Sequence, residues 1–246
     1  MKARIHGVTL DGTDSTNSPY TITSIDGWDD GVETRREAID RPAAHGQFPT
    51  PGYLSGRLIT INGEIYTSSP SEQDHAILRL TGLLADGSTA KFAVETALGS
   101  QWASVQRNGP PDIVRDRWGL LATYQLQFWA ADPRKYGEVR EYAAGEEAVQ
   151  YGNFPATPKI IVNGIAESGY TVTGPGGRRV IVYHPLTAAV PHTIDFTTGG
   201  LYVAGQRIFG AITVYEPWTV SPGLPGVVTT VNGARTLRIQ VADTFV

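Results

Sequence analysis

The sequence of 246 residues contains no cysteine. This absence excludes disulfide bonds, a thiol nucleophile and any zinc site built on thiolates. The sequence also lacks a long uncharged apolar run, and we therefore expect no transmembrane helix and no membrane insertion. Lys2, Arg4 and His6 follow Met1 without an apolar segment behind them. We accordingly expect no secretory signal and a protein that is made in a cytoplasm.

Basic residues are scarce, since 20 Lys and Arg against 24 Asp and Glu give a net charge of −4. This balance argues against a general nucleic-acid-binding protein. The charges are also uneven, because residues 1–150 hold 14 basic and 20 acidic side chains whereas residues 151–246 hold 6 and 4. Such a shift suggests two units with different surroundings. We place the link in the charged, weakly patterned segment Arg134–Gln150, which predicts domains over residues 1–140 and 141–246.

Helical patterns are nearly absent, and one stretch carries the only convincing example. Ser69-Pro70-Ser71-Glu72 is a capping box with proline at the first helical position. Asp86-Gly87 predicts the end of the helix, with Gly87 as the left-handed residue that follows it. The apolar residues in between recur at helical spacing and form a single stripe, which consists of Ala76, Ile77, Leu80, Leu83 and Leu84.

Alternation with a period of two predicts strands on both sides of this helix. Ile59, Ile61 and Ile65 alternate with polar residues before it, and Leu120–Ala130 gives the longest alternating stretch after it. With 28 Gly, 16 Pro and 41% hydrophobic residues, the chain suits many short strands around a sizeable core. We predict a mainly β fold, with an α+β first domain and an all-β sandwich as the second. The further predicted strands are residues 3–10, 20–26, 33–40, 92–98, 101–107, 159–163, 170–173, 178–184, 192–197, 201–203, 207–209, 211–215, 227–231 and 237–241.

The segment Arg41–Tyr53 interrupts the strand pattern with three Pro and two Gly, so it cannot be a central strand. It nevertheless contains Phe48 and Tyr53, besides Arg41 and His45. An extended, proline-rich arm with aromatic side chains can embrace a neighbouring subunit, and these four residues are our candidates for such a contact. An ordinary long loop fits the composition equally well, and both interpretations stay open at this point.

The residues that usually carry catalysis or metal binding do not form a recognisable set. The sequence has no Gly-x-Ser-x-Gly elbow, no His-Glu-x-x-His run and no phosphate-binding P-loop. Asp11, Asp14 and Asn17 lie in a polar turn that lacks the spacing of a calcium loop, and we interpret it as solvated. His184 and His192 flank a short loop and could share a metal ion, although surface or core histidines explain them more simply. We expect no catalytic residues, no cofactor and no metal.

The five Trp of the sequence can pack in a core or stack on sugar rings. Trp102, Trp118 and Trp129 lie in or near predicted strands, and we expect them in the core of the first domain. Trp218 follows a proline in a turn-rich part of the second domain. It is our best candidate for an exposed aromatic residue that meets a ligand or a partner.

Four stretches, in their order and spacing, carry a likeness that runs over nearly the whole chain. They are Gly27–Gly31 with the following Arg41 and Gly46, then Gly56–Ile65, Phe128–Gly137 and Gly152–Gly164. With these stretches the chain resembles the distal tail proteins of long-tailed bacteriophages, the siphophage tail-component family often called Dit. One local departure is Gly152-Asn153, where relatives often have Asn-x-Gly before the prolines.

The resemblance implies a first domain similar to a tail-tube subunit, a β-barrel or sandwich with one helix that assembles as a hexameric ring. It implies a galectin-like second domain, which in the family often holds receptor-binding or side-fibre proteins. The implied function is structural: a hub at the tail tip of the virion, assembled in the host cytoplasm, between the tail tube protein and the tail-tip proteins. The residues themselves agree in part, since a proline-rich arm suits a cyclic assembly that closes through head-to-tail contacts.

DNA must pass through the bore of such a ring without specific binding, and a lining with few Lys and Arg attracts phosphates least. The excess of six acidic side chains in residues 1–150 suits such a lining, although the same charge also keeps a subunit soluble. Two rival functions stay open. One is a carbohydrate-binding module on the second domain that mediates attachment to the host surface, because a galectin-like fold does not guarantee sugar binding. The other is an enzyme that acts on cell-wall polymer, against which the lack of a paired acid and base argues.

Overall fold

The computed structural model describes residues 2–10, 18–97, 99–233 and 235–246. Over these residues the protein is mainly β, with antiparallel strand pairs and one α-helix, α1 (Pro70–Gly82), so the predicted fold class is confirmed. None of the described helical residues belong to a segment long and apolar enough to cross a membrane.

The chain folds into two compact units, and the first of them ends at Lys135. Eight of its ten described strands form two antiparallel sheets, and the other two pair separately with each other. The strands are β1 (Lys2–Ile5), β2 (Val8–Leu10), β3 (Tyr20–Asp26), β4 (Thr34–Arg35), β5 (Tyr53–Leu54), β6 (Arg57–Tyr66), β7 (Ala90–Thr96), β8 (Gly99–Arg107), β9 (Asp112–Arg115) and β10 (Leu121–Ala130). One sheet has the order β2-β1-β7-β8 and the other has the order β3-β6-β10-β9, while the end of β10 also pairs with β8.

The alternation in β6 decides which side of the second sheet faces the core. Ile59, Ile61 and Ile65 are completely buried, in one cluster with residues of α1 and of the other sheet. Successive side chains point to opposite faces of a strand, so the polar residues between these isoleucines lie on the outer face. β6 pairs with β10 over the full length of both strands, which places the polar alternate residues of β10 on the same outer face.

The helix α1 buries its predicted stripe, since Ala76, Ile77, Leu80, Leu83 and Leu84 are all buried. Ser69 Oγ caps the helix by accepting a hydrogen bond from the Glu72 N–H at 3.3 Å, and the Glu72 carboxylate accepts one from the Ser68 N–H at 2.9 Å. The helix ends at Gly82, earlier than predicted, and the chain continues through turns to Gly87. Gly87 is left-handed as predicted, with a φ of 77°, and Leu84 also takes a left-handed conformation, with a φ of 51°.

The first predicted strand, residues 3–10, is in fact a hairpin. Ile5 on β1 lies directly opposite Val8 on β2, and the two residues between them, His6 and Gly7, have φ values of 45° and 75°. Two consecutive positive φ angles are typical of a type I′ turn. The sequence hides this turn because histidine replaces the asparagine or aspartate that usually precedes the glycine.

The second unit, Tyr136–Phe245, has a separate hydrophobic core. Its strands are β11 (Lys135–Ala143, which starts at the boundary), β12 (Glu147–Ala148), β13 (Lys159–Asn163), β14 (Tyr170–Thr173), β15 (Arg179–Val182), β16 (His192–Asp195), β17 (Gly200–Val203), β18 (Gln206–Ile208), β19 (Ile212–Tyr215), β20 (Val227–Val228), β21 (Thr230–Val231) and β22 (Thr236–Phe245), besides a 3-10 turn at Pro175–Gly177. One sheet has the order β18-β17-β16-β13-β22-β11 and another has the order β19-β15-β14-β21, with β12 pairing β20 separately. Most of the strands predicted for this unit therefore exist, and their limits lie within four residues of the predicted ones.

The segment Arg134–Gln150, which the sequence analysis takes as a link, is largely strand, and residue 140 lies inside β11. β11 lies beside β22, and Arg140 Nη1 donates to both carboxylate oxygens of Asp243 at 2.5 and 2.6 Å. One of the charges that make this segment look like a linker, that of Arg140, thus belongs to an ordered ion pair between two strands.

Candidate interaction surfaces

Residues 33–55 form a β-hairpin, which we call the arm. Backbone hydrogen bonds join its sides, from Ser55 N–H to Glu33 O (2.8 Å) at the base to Arg41 N–H to Gly46 O (3.2 Å) at the turn. The pair of β4 and β5 lies near the base. In the turn, Gly46 has a φ of 87°, a backbone conformation that residues with a Cβ rarely adopt. Regular strand pairing does stop in this segment, as predicted, because a single isolated bridge, Asp40 with Gln47, lies between the β4–β5 pair and the turn.

The prolines of this segment did not suggest a hairpin, but the hairpin accommodates them. Phe48 donates its N–H to Ile39 O at 2.9 Å, and Pro49 and Pro51 occupy alternate positions on the same side of the hairpin. A two-stranded hairpin leaves every second N–H of each side unpaired, so proline at these positions costs no ladder hydrogen bond.

The arm brings together all four candidate contact residues and covers none of them. Every residue from 33 to 49 is exposed, with Phe48 at 49% and Tyr53 at 63% exposure. Phe48 lies opposite Ile39, which is 51% exposed, and the two form an apolar pair. The Arg41 guanidinium lies 5.7 Å from the centroid of the Phe48 ring, while His45 is in the turn.

The outer face of the sheet β3-β6-β10-β9 is polar at its centre. Gln125 lies opposite Asn62 and donates its Nε2 to Asn62 Oδ1 at 2.9 Å, and Asn62 Nδ2 donates to Asp26 Oδ2 at 3.1 Å. We call this surface the polar face; its residues include three carboxylates and no Lys or Arg. They are Thr21, Ser24, Asp26, Thr60, Asn62, Glu64, Asp112, Thr123, Gln125 and Gln127.

The tryptophans expected in the first core are largely outside it. Trp118 is 73% exposed and Trp129 is 42% exposed, while Trp102 is half-buried with the Lys91 ammonium 4.6 Å from its ring. Trp28 is the one that the first core encloses. Trp118 lies in a turn and Trp129 on the outer side of β10, so a position near a strand did not indicate burial.

Trp218, the predicted exposed aromatic, is buried at 2% exposure. Its ring lies 4.7 Å from the Phe196 ring at an interplanar angle of 87°. A Cβ on Gly174 would come within 2.6 Å of the indole, so the bare backbone of that glycine makes room for the ring. The prediction is wrong, and Trp218 is not available to stack on a sugar or a partner.

Two buried cations that the sequence analysis missed hold the turn after β3. Arg57 Nη1 donates to the carbonyls of Gly27, Trp28 and Asp30 at 2.6, 3.1 and 2.9 Å, and Lys135 Nζ donates to Trp28 O at 2.7 Å. Burial lowers the pKa of Lys135, and the neighbouring charge of Arg57 lowers it further. Hydrophobic periodicity gives no signal for such residues, because it treats every charged side chain as exposed.

His184 and His192 do come together in the second unit, with their ring centroids 5.3 Å apart. His192 is 1% exposed, and its Nδ1 lies 3.2 Å from the hydroxyl of Tyr170. Within the described ranges, no group of three His, Asp or Glu side chains is placed to hold a metal ion. Asp11, Asp14 and Asn17, the other residues considered for a metal, lie outside the described residues.

We predict that the protein loses stability as the pH falls below about 6.5, because burial lowers the pKa of His192 and the nearby His184 lowers it further. The unfolded chain binds this proton at a higher pH than the folded chain, so the contribution of His192 is complete above that pH and is lost below it. Urea unfolding between about pH 7.5 and 5 measures the slope. His192→Gln should reduce it, and equal slopes in the wild-type protein and in this variant would contradict the prediction.

No protein-family model and no curated protein matches the sequence. Among solved structures, the chain is similar to the Dit protein of phage SPP1, described as a paradigm of the hub adsorption apparatus in phages that infect Gram-positive bacteria, with a TM-score of 0.76, 14% identity and coverage of 100% of this chain and 99% of that one. It is also similar to chains of the phage P2 baseplate in its activated conformation with Ca and with Sr, each with a TM-score of 0.53 and 97% of both chains covered, at 10% and 9% identity. The resemblance to distal tail proteins is thus confirmed at the level of the fold.

Proposed function

We propose that this protein is a structural hub of a bacteriophage tail and has no enzymatic role. Copies of it close head to tail into a ring, a hexamer by analogy with the family, at the tail tip of the virion. This ring connects the tail tube protein with the tail-tip proteins and is assembled in the host cytoplasm. The observation that carries the proposal is the arm, a hydrogen-bonded hairpin whose side chains a single subunit leaves exposed.

The arm is ordered by its own hydrogen bonds but contributes no side chain to either core. Exposure of the apolar pair Ile39 and Phe48 to water is unfavourable in free energy. Exposed apolar surface on an otherwise well-packed protein marks an interaction site. In a head-to-tail contact the arm of each copy meets a different surface of the next copy, so the contacts repeat until the ring closes.

The polar face is our candidate for the lining of the bore. Each Lys or Arg that reaches DNA releases counterions and strengthens binding, which would slow the passage of a genome. The three carboxylates of the polar face, Asp26, Glu64 and Asp112, repel phosphates, and its amides and hydroxyls carry no charge. The surface therefore suits transit without retention.

The proposal gives the second unit a different task, which is to hold receptor-binding or side-fibre proteins. Its two sheets and separate core support an independently folded module, and the family analogy supplies the galectin-like description.

Electron microscopy of the purified protein tests the ring directly, and spin labels test which surface lines it. Because the chain has no cysteine, a single nitroxide can be attached through Gln125→Cys on the polar face or Leu78→Cys on the exposed side of α1. In a ring, the distance between equivalent atoms of neighbouring copies grows with their distance from the axis. We expect shorter distances between Gln125 labels than between Leu78 labels by pulsed electron resonance; the reverse order would place the polar face on the outside.

A further inference from the structure

Four asparagine residues of this chain are followed directly by glycine, and they are Asn62, Asn108, Asn163 and Asn232. In such a pair the backbone nitrogen of the glycine can attack the side-chain carbonyl carbon of the asparagine, because glycine has no Cβ that obstructs the approach. The attack needs an asparagine side chain that can rotate and a backbone that can leave its hydrogen-bonded pattern. The surroundings of each pair therefore decide which of them reacts.

Asn62 is held firmly, because it lies in β6 between the neighbouring strands β3 and β10. Its Nδ2 donates to Ser24 Oγ at 3.0 Å and to Asp26 Oδ2 at 3.1 Å. Its Oδ1 accepts a hydrogen bond from Gln125 Nε2 at 2.9 Å. Ring closure at Asn62 would require β6 to separate from a neighbouring strand, and a central strand of a sheet opens rarely in the native state.

The two pairs in the second unit are restrained as well. Asn232 Oδ1 accepts a hydrogen bond from the Thr171 N–H at 2.9 Å, and the Asn232 N–H donates to Thr171 O at 3.1 Å. Asn163 is the last residue of β13 and belongs to the pairing with β22. The next residue, Gly164, is covered by Arg235, since a Cβ there would come within 3.2 Å of the arginine side chain. Both pairs should therefore react more slowly than an unrestrained one.

Asn108 and Gly109 lie just beyond the end of β8 and are both exposed, as is the following Pro110. The Asn108 N–H donates to Gln127 O at 2.8 Å. Among the described residues, neither the Asn108 side chain nor the Gly109 N–H has a hydrogen-bond partner, and a Cβ on Gly109 would meet no atom within 4 Å. The two groups that must react are thus unobstructed and free to move.

We infer that Asn108 is the site at which this protein deamidates spontaneously. The Gly109 nitrogen loses its proton to hydroxide and bonds to Asn108 Cγ, and the side-chain nitrogen takes a proton from water and leaves as ammonia, which closes a succinimide ring. Water then adds to one of the two ring carbonyls and breaks its C–N bond, so the products are aspartate and isoaspartate. Either product adds one negative charge to a chain whose net charge is −4. The reaction takes place within one subunit and needs neither a ring nor a partner.

Peptide mapping by mass spectrometry of the purified, folded protein tests this inference. The protein is stored in mildly alkaline buffer made with water that carries heavy oxygen and is digested in ordinary water, so conversion during storage is distinguished from conversion during digestion. Conversion at Asn108 should be at least about tenfold faster than at Asn62, because opening of the sheet limits the second reaction. Conversion at any of the other three pairs that equals that at Asn108, or no conversion at Asn108, would overturn the inference.

The same measurement on protein unfolded in urea shows whether the fold makes the selection. All four pairs consist of the same two residues, and an unfolded chain has no fixed strand pairing, so their rates in urea should agree within about threefold. If Asn108 still reacts about tenfold faster than Asn62 in urea, the local sequence selects the site and the structural argument is wrong.

Two variants at this position give an independent readout by ion-exchange chromatography. Asn108→Asp carries the added charge from the start and marks where the acidic product elutes. Asn108→Gln keeps the amide on a side chain that is one methylene group longer, so the same attack must close a larger ring and is slower. On storage, the wild-type protein should accumulate the acidic form several-fold faster than Asn108→Gln. Equal accumulation in both proteins would place the main reaction elsewhere and overturn the inference.

Discussion

Shortening the arm should leave a folded single subunit that no longer forms rings. In the variant, residues 37–50 are replaced by Asn-Gly, a sequence that favours a tight hairpin turn, and the base pairs between β4 and β5 remain. The deleted part lies outside both cores, so we expect a change in the free energy of unfolding within about 0.5 kcal/mol. Light scattering should then report the mass of one chain, slightly below the 26.5 kDa of the full sequence, instead of a multiple.

Two matched substitutions distinguish loss of the contact between subunits from loss of an exposed aromatic side chain in general. Phe48 and Phe209 are both exposed, and each has an arginine near its ring, Arg41 at 5.7 Å and Arg207 at 5.1 Å. Phe48→Ala should weaken the ring, and Phe209→Ala should not. If the shortened variant still forms rings, or if both substitutions affect the ring equally, the arm is a surface hairpin that makes no contact between subunits.

Leu80→Asp should unfold most of the first unit. Leu80 is completely buried on α1, so a carboxylate placed there is removed from water. Burying such a group costs at least about 4 kcal/mol, which is a large part of the 5–15 kcal/mol that stabilises an ordinary domain. The same helix offers the control, since Leu78 is 66% exposed and Leu78→Asp should change the stability by no more than about 0.5 kcal/mol.

Fluorescence of the buried Trp28 during urea unfolding follows this loss in the first unit. The leucine at position 80 also makes close contacts in the core, so Leu80→Ala should destabilise the unit by an intermediate amount, about 2–5 kcal/mol. Similar unfolding midpoints for Leu80→Asp and Leu78→Asp would mean that the buried side of α1 has been assigned incorrectly.

Several parts of this protein could be predicted because the responsible residues are neighbours in sequence. Ser69, Pro70 and Glu72 start α1 where expected, since a capping box acts within one turn. The isoleucines of β6 face the core because alternation is a property of any strand with one buried side. Pro49 and Pro51 correctly indicated a break in the strand pattern, but not the hydrogen bonds that still join the two sides of the arm, such as Phe48 N–H to Ile39 O.

The candidate surfaces were only partly accessible from sequence. The four arm residues lie in one exposed segment, as their selection as contact candidates requires. The pairing of this segment with Ile39 and its neighbours was not predicted. The polar face depends on the register of strands that are far apart in the chain, which composition does not reveal. The exposure of Trp118 was missed because this residue was expected in the core.

By itself, then, the sequence determined the fold class, the helix with its buried stripe and most strands of the second unit, since each depends on patterns within a few residues. The tertiary structure alone decided which aromatic residues meet water. Trp218 is buried because Gly174, distant in the chain, leaves space for its ring, and Trp118 is exposed in a turn that Asp116 fixes and whose indole no described element covers. Burial is a property of what packs against a residue, and local sequence does not specify those partners.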